Sequence, residues 1–236
     1  YNIDWDEGTH LHPDERYLTM VVSAIQLPAN LAQYWSTAES PLNPTNKGYG
    51  GYVYGTLPLF LTRVVGGWVD QACASPPSPT AVVLRWFLLN ASGSCYPEHY
   101  LGYNGIHFVG RALSALADLA TLVALALLAR ALYGNKTALL AAALYAFAVL
   151  PIQHAHFFVV DSFATVFVAW TLCFAVYSIQ YRRLWLLLLA GLTTGLAVAS
   201  KISVWPLAGV VGLAALLQRE PSGEGEPARY RFALLP

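Results

Sequence analysis

From residue 106 onward the sequence is a succession of long apolar runs divided by short basic or polar breaks, and no other feature constrains the fold as strongly. The runs cover residues 106–132, 137–153, 157–179, 184–200 and 204–217. They stop at Gly134-Asn135-Lys136, His154-Ala155-His156, Tyr181-Arg182-Arg183, Lys201 and Arg219. Such runs are membrane spans, and because lipid offers the backbone no hydrogen-bond partner, each is expected to be a helix. Only 11% of the 236 residues are charged and 56% are hydrophobic, whereas an ordinary soluble domain carries about 25% charge. The expected fold is an all-α, polytopic transmembrane helical bundle in the plasma or cytoplasmic membrane. Its 13 basic and 13 acidic side chains balance, which argues against a nucleic-acid partner. The chain opens on polar Tyr1-Asn2-Ile3-Asp4 and closes on apolar Phe232-Ala233-Leu234-Leu235-Pro236, so both ends read as cuts through a longer protein, with a sixth span beginning near Phe232.

Orientation follows from the basic residues beside the spans. Arg130 with Lys136, Arg182 with Arg183, and Arg219 with Arg229 and Arg231 occupy alternate breaks, which are therefore cytoplasmic. Three regions result: residues 1–105 as a large first extracytoplasmic loop, residues 106–218 as five transmembrane helices, and residues 219–236 as a cytoplasmic loop leading toward a further span.

The first loop contains only shorter apolar stretches. Leu18, Val21, Val22 and Ile25 fall at i, i+3, i+4, i+7, which predicts an amphipathic helix over 14–31 resting on the membrane. Pro13 suits its first turn, and Asp14 and Glu15 complement the positive end of its dipole. Turn chemistry at 40–47 leads into Gly48-Tyr49-Gly50-Gly51-Tyr52-Val53-Tyr54-Gly55, read either as aromatic anchoring at the interface or as a turn-rich linker. A second short helix is expected from Pro58 through Val69. The stretch 73–104 reads as a variable Pro/Ser-rich insertion with a short apolar piece at 81–89. Cys73 and Cys95 within it are either a disulfide of an oxidising compartment or two unrelated thiols.

Charge is scarce enough that its clusters matter. His10-Leu11-His12-Pro13-Asp14-Glu15-Arg16-Tyr17 packs two imidazoles, two carboxylates and a guanidinium together. Further along, Arg111 and Asp118 share one face of the first span, Asp161 opens the third, and Lys201 closes the fourth. An ionised group at mid-bilayer costs roughly 2.5–3.5 kcal/mol, so such residues need a reason. Asp118 reads as a partner for a neighbouring helix, and Arg111 and Lys201 either snorkel to headgroups or bind an anion. His154 and His156 read as a polar break, with metal ligation as the alternative. The small-xxx-small spacing of Gly191 and Gly195 predicts close helix packing. A carboxylate at Asp14 could take a proton from an attacking acceptor, while Arg111 and Lys201 hold a departing lipid phosphate. The chain has neither a Walker loop nor a GxGxxG cradle, so a soluble nucleotide-sugar donor is disfavoured.

The segments His12-Pro13-Asp14-Glu15-Arg16-Tyr17, Tyr54-Gly55-Thr56-Leu57-Pro58-Leu59, Gly110-Arg111-Ala112-Leu113-Ser114-Ala115-Leu116, Ala141-Ala142-Ala143-Leu144-Tyr145-Ala146 leading to Pro151, Asp161 and Ala199-Ser200-Lys201 follow in a telling order. With them the chain resembles membrane glycosyltransferases of the GT-C fold, the group of protein O-mannosyltransferases and aminoarabinose transferases (glycosyltransferase family 39). The resemblance implies a catalytic carboxylate at Asp14 with Glu15 beside it, a second acidic position at Asp161, and a basic residue near the donor phosphate at Lys201. It implies a polyprenyl-phosphate sugar donor, an acceptor that is protein, lipid or glycan, and inversion at the anomeric carbon. It also implies about a dozen spans in the whole fold, so a chain this short is expected to be inactive alone. No cofactor is certain. A divalent metal is left open, with His10 and His12 as its candidate ligands. Two other readings compete: a non-catalytic subunit of a larger membrane complex that has kept the fold, with other membrane subunits and lipids as its partners, and a transporter.

Overall fold

The structure, a computed structural model, describes residues 4–74, 79, 82, 95 and 100–219. The apolar piece at 81–89, apart from Val82, and everything from 220 onward, including the expected span at Phe232, lie outside those residues. Among the described residues the chain is helical and has no strand: α1 Pro13–Ala24, α2 Leu31–Trp35, α3 Leu57–Ala74, α4 Tyr103–Tyr133, α5 Asn135–Ala146, α6 Val149–Ala155, α7 Val160–Tyr181, α8 Leu184–Ser200 and α9 Leu207–Arg219. Two compact units divide it, one of residues 1–116 with 153–160, the other of residues 117–152 with 161–236.

In the first unit, α1 starts as predicted with Pro13 in its first turn, but it ends at Ala24 and does not reach Leu31. Pro28 accounts for the early stop: its ring would clash with the carbonyl four residues back, at Ala24, and Ile25 is already extended. The apolar stripe also meets a different surface from the one expected. Leu18, Val21, Val22 and Ile25 are fully buried inside the protein, where α1 packs on α3, so the stripe does not lie on lipid. The Gly-Tyr stretch is tied to the start of α1 by its rings. Tyr49 and Tyr52 each place a ring 6.2 Å from that of Tyr17, and Tyr52 donates to the Gly55 carbonyl. Cys73 and Cys95 form a disulfide. Close by in the fold, Asp70 accepts a hydrogen bond from the backbone of Tyr100 at 2.9 Å, and Arg63 donates to the Leu101 carbonyl. At Gly110 the ring of Phe158 rests on the backbone of α4, and a Cβ there would stand 2.3 Å from the ring.

In the second unit, the helices fall where the apolar runs predict, with one difference. The run over 137–153 is two helices, α5 and α6, bent by 61° at their junction. Pro151 explains the break, because a continuous helix would set its ring against the carbonyl of Phe147; restarting at Val149 places it in a first turn, where it does no harm. By length and composition α4 and α7 are long and apolar enough to cross a membrane, and the bent α5–α6 pair makes a third if it is one span; α8 and α9 are shorter apolar helices. Hydrogen bonds from Tyr177 to the Leu127 carbonyl and from Gln180 to the Ala131 carbonyl set the C-terminal ends of α4 and α7 side by side, so the two run in the same sense. If α4 and α7 both cross the membrane, a parallel pair requires the chain between them, α5–α6, to cross back. Thr171 bonds Thr193 at 2.8 Å between α7 and α8, and a core of Ala175, Ala190 and Ala214 joins α7, α8 and α9.

Gly191 and Gly195 do not mediate close packing as their spacing predicts. A Cβ at either would meet nothing within 4 Å, and the buried face of α8 is Ala190, Thr193, Thr194 and Ala197. The glycines fall on a different stripe of the helix. Asp118 does pair with a neighbouring helix, accepting from the Tyr145 hydroxyl of α5 at 2.6 Å.

Candidate functional site

Helix geometry separates the two adjacent carboxylates at the start of α1. Successive residues are rotated by about 100°, so neighbours in sequence point to different sides. Glu15 stands at i relative to Leu18, Thr19 and Val22 at i+3, i+4 and i+7, and joins their buried face. Asp14 falls off that face and is half-buried. Among the described residues it makes no hydrogen bond or ion pair, so its oxygens remain available at a helix N-terminus that favours negative charge.

Glu15 is committed elsewhere. The Arg111 guanidinium, fully buried on α4, donates to it twice, from Nε to Oε1 and from Nη2 to Oε2, both at 2.7 Å. It donates twice more to Asp6, from Nη1 to Oδ1 at 2.9 Å and from Nη2 to Oδ2 at 2.7 Å. The backbone N–H of Phe158 adds a bond to Glu15 Oε1 at 2.8 Å. The ring of Trp5 covers the guanidinium with its centroid 5.8 Å from Cζ, and its edge meets Phe157. Bidentate Arg–carboxylate geometry on both sides makes this a strong, directional cluster. Burial pushes the Asp6 carboxyl up, but hydrogen bonds and charge from Arg111 outweigh it and hold it down at about 2. Arg111, expected at a donor phosphate, thus has its donors turned to Asp6 and Glu15, and Glu15 is the anchor of that cluster.

His10 and His12 do not converge on a metal. His10 is buried, with its ring 4.3 Å from that of His107 and 4.7 Å from that of Tyr103, while His12 packs on Phe157. No group of three or more His, Cys, Asp or Glu among the described residues could hold a metal ion. Neither ring nitrogen of His10 has a hydrogen-bond partner among those residues. Burial holds its pKa below the ordinary value, with Glu15 and Asp6 pulling the other way and Arg111 and Arg16 adding to the depression.

The second unit brings together the remaining pair. Asp161 lies in the first turn of α7, and Lys201 caps the C-terminus of α8 with an extended backbone. Lys201 Nζ donates to Asp161 Oδ1 at 2.6 Å, and the two side chains keep 34% and 36% of their surface exposed. An ammonium has three donors; with one used on Asp161, two directions remain for an anion. Of the residues expected at the site, Glu15 is therefore joined to Arg111 and Asp161 to Lys201, while Asp14 is bonded to neither pair. Sequence reading missed Asp6 and Trp5. A separation of 105 residues between Asp6 and Arg111 leaves no local spacing by which to pair them.

A family model described as dolichyl-phosphate-mannose-protein mannosyltransferase matches residues 103–221, just over half of the 236. The matched stretch begins at the first residue of α4 and takes in Arg111, Asp161 and Lys201, while Asp6, Asp14 and Glu15 precede it. No curated protein and no solved structure gives a significant match.

Proposed function

The chain belongs to the dolichyl-phosphate-mannose-protein mannosyltransferase family, membrane glycosyltransferases of the GT-C type, and from that premise we propose that it transfers a sugar from a polyprenyl-phosphate donor to an acceptor on the extracytoplasmic side, with inversion. Asp14 acts as general base. It takes the proton of the acceptor hydroxyl or amine as that atom attacks the anomeric carbon, and the bond from that carbon to the phosphate oxygen breaks on the opposite side. A single displacement of this kind inverts the centre. The departing lipid phosphate gains charge that a positioned cation stabilises; taken by itself, the second unit holds the Lys201 ammonium on Asp161 with two donor directions open, an arrangement that suits an anion.

The observation that carries this reading is the division of labour between adjacent carboxylates. Glu15 is saturated by Arg111 and Phe158, whereas Asp14 keeps its oxygens for a proton. Comparing Asp14→Asn with Glu15→Gln in the full-length protein tests it. Asp14→Asn should cut kcat by about 10²–10⁴-fold, the usual contribution of general-base catalysis, and leave the unfolding midpoint unchanged. Glu15→Gln should lower the midpoint. Wild-type turnover in Asp14→Asn would remove Asp14 from the mechanism.

A further inference from the structure

A groove of about 770 Å³ opens in the second unit between the C-terminal ends of α4 and α7 and the start of α8. Its floor is fixed by the two hydrogen bonds that tie those ends together, from Tyr177 and Gln180 to the carbonyls of Leu127 and Ala131. Two guanidinium groups, of Arg130 and Arg183, line it, and among the described residues no carboxylate does. Both arginines are exposed, and among the described residues neither has an ion-pair partner. The rest of the lining is largely aromatic. Trp170 and Phe174 lie with ring centroids 5.1 Å apart, and Tyr177 and Tyr181 stack at 5.7 Å toward the helix end. Trp185 is more than half exposed beside them.

Each part of this lining matches a part of one ligand class. Unpaired arginines at a helix end attract and hydrogen-bond a phosphate. Tyrosine and tryptophan at the same level favour the boundary between headgroup and hydrocarbon. Deeper, the Trp170–Phe174 wall offers apolar surface to a chain. A volume of this size suits a headgroup with its glycerol and first methylenes. We propose that this groove binds an anionic phospholipid, with Arg130 and Arg183 on the headgroup phosphate and Trp170 and Phe174 against the upper acyl chain. Basic residues cluster at this end of α4 and α7, the end that the positive-inside pattern assigns to the cytoplasm, where anionic lipid is richest. The proposal rests on α4 and α7 spanning the membrane, and it does not depend on the transfer chemistry.

The test is lipid retention by the full-length protein, counted by native mass spectrometry after exchange into detergent containing phosphatidylglycerol or phosphatidylcholine. One phosphatidylglycerol should be retained in preference to phosphatidylcholine. Each arginine near an anionic headgroup is worth about fivefold in binding, so Arg130→Gln with Arg183→Gln should weaken retention about 25-fold. Arg182→Gln is the control, since it neighbours the groove without lining it, and it should change little. Glycerol 3-phosphate should compete weakly at most, because it lacks the chain; full competition by it would show a free-phosphate site and overturn the lipid assignment. Equal retention of both lipids, or equal loss in Arg182→Gln and the double variant, would also overturn it, since either means unspecific apolar or diffuse electrostatic adsorption. Trp170→Leu, which keeps the arginines, should weaken phosphatidylglycerol while leaving any glycerol 3-phosphate binding unchanged, and it provides a readout if the double variant fails to fold.

Discussion

Replacing Arg111 with Met should unfold the first unit more easily than any other single change in the candidate site. The side chain is fully buried and gives four charge-assisted hydrogen bonds, two to Asp6 and two to Glu15. Met fills a similar length but leaves two carboxylates facing each other in a dry site. Removing one partner from a buried ion pair costs about 3–5 kcal/mol, a large part of the 5–15 kcal/mol that holds a typical protein folded. For a chain of this size each kcal/mol moves the midpoint by roughly 2–4 °C, so the expected fall is on the order of 10 °C. Tryptophan fluorescence in a fixed detergent reports it, and Trp5 over the guanidinium is a local probe. If the loss comes from uncompensated charge, combining Arg111→Met with Asp6→Asn and Glu15→Gln should restore at least half of it. A midpoint within about 2 °C of wild type for Arg111→Met alone, or no recovery in the triple variant, would refute the reasoning.

Acid should destabilise the first unit by two routes of the same sign. Asp6 lies at about 2 in the folded chain against an ordinary 3.8, so its contribution of about 2 kcal/mol is complete above 3.8 and is lost as pH falls toward 2. His10 is depressed below its ordinary 6.5, so the unfolded chain binds its proton first and stability also declines as pH drops below that value. Midpoints that stay level or rise between pH 7 and 3 would contradict both assignments. Gly110→Ala sets a methyl 2.3 Å from the Phe158 ring and should cost about 1–3 kcal/mol in thermal unfolding, whereas Gly191→Ala, with open space around it, should be neutral or stabilising. Tyr145→Phe leaves the Asp118 carboxylate without its 2.6 Å donor and should lower the midpoint by an amount corresponding to about 1–3 kcal/mol; an unchanged midpoint would mean that water or another group replaces the hydroxyl.

Much of the fold was legible because lipid-like sequence is simple to read. Runs of apolar residues ending at Gly134, Arg182 and Lys201 mark helix ends that the structure reproduces within a few residues. The departures come from single residues acting on backbone geometry. Pro28 ends α1 early and Pro151 divides an apolar run, effects that a count of apolar residues passes over. Long-range pairing was the least accessible. Nothing near Asp6 or Arg111 announces the other, and Arg111 could be read as a phosphate ligand until its partners were placed. The adjacent carboxylates show the same limit at close range, since the sequence could name Asp14 and Glu15 together, but only the register of the buried face separates one from the other. Gly191 and Gly195 had the spacing of a packing motif and lie on a stripe with no neighbour.

The central claim is that this membrane glycosyltransferase draws its sugar from a lipid phosphate and uses Asp14 to deprotonate the acceptor. The most direct measurement reconstitutes the full-length protein in proteoliposomes and supplies the labelled sugar either as a polyprenyl phosphate or as the nucleotide sugar. Transfer from the polyprenyl phosphate alone, with the opposite anomeric configuration in the product and its rate abolished by Asp14→Asn, is the predicted result. Transfer from the nucleotide sugar, retention of configuration, or an Asp14→Asn protein as fast as wild type would contradict the account.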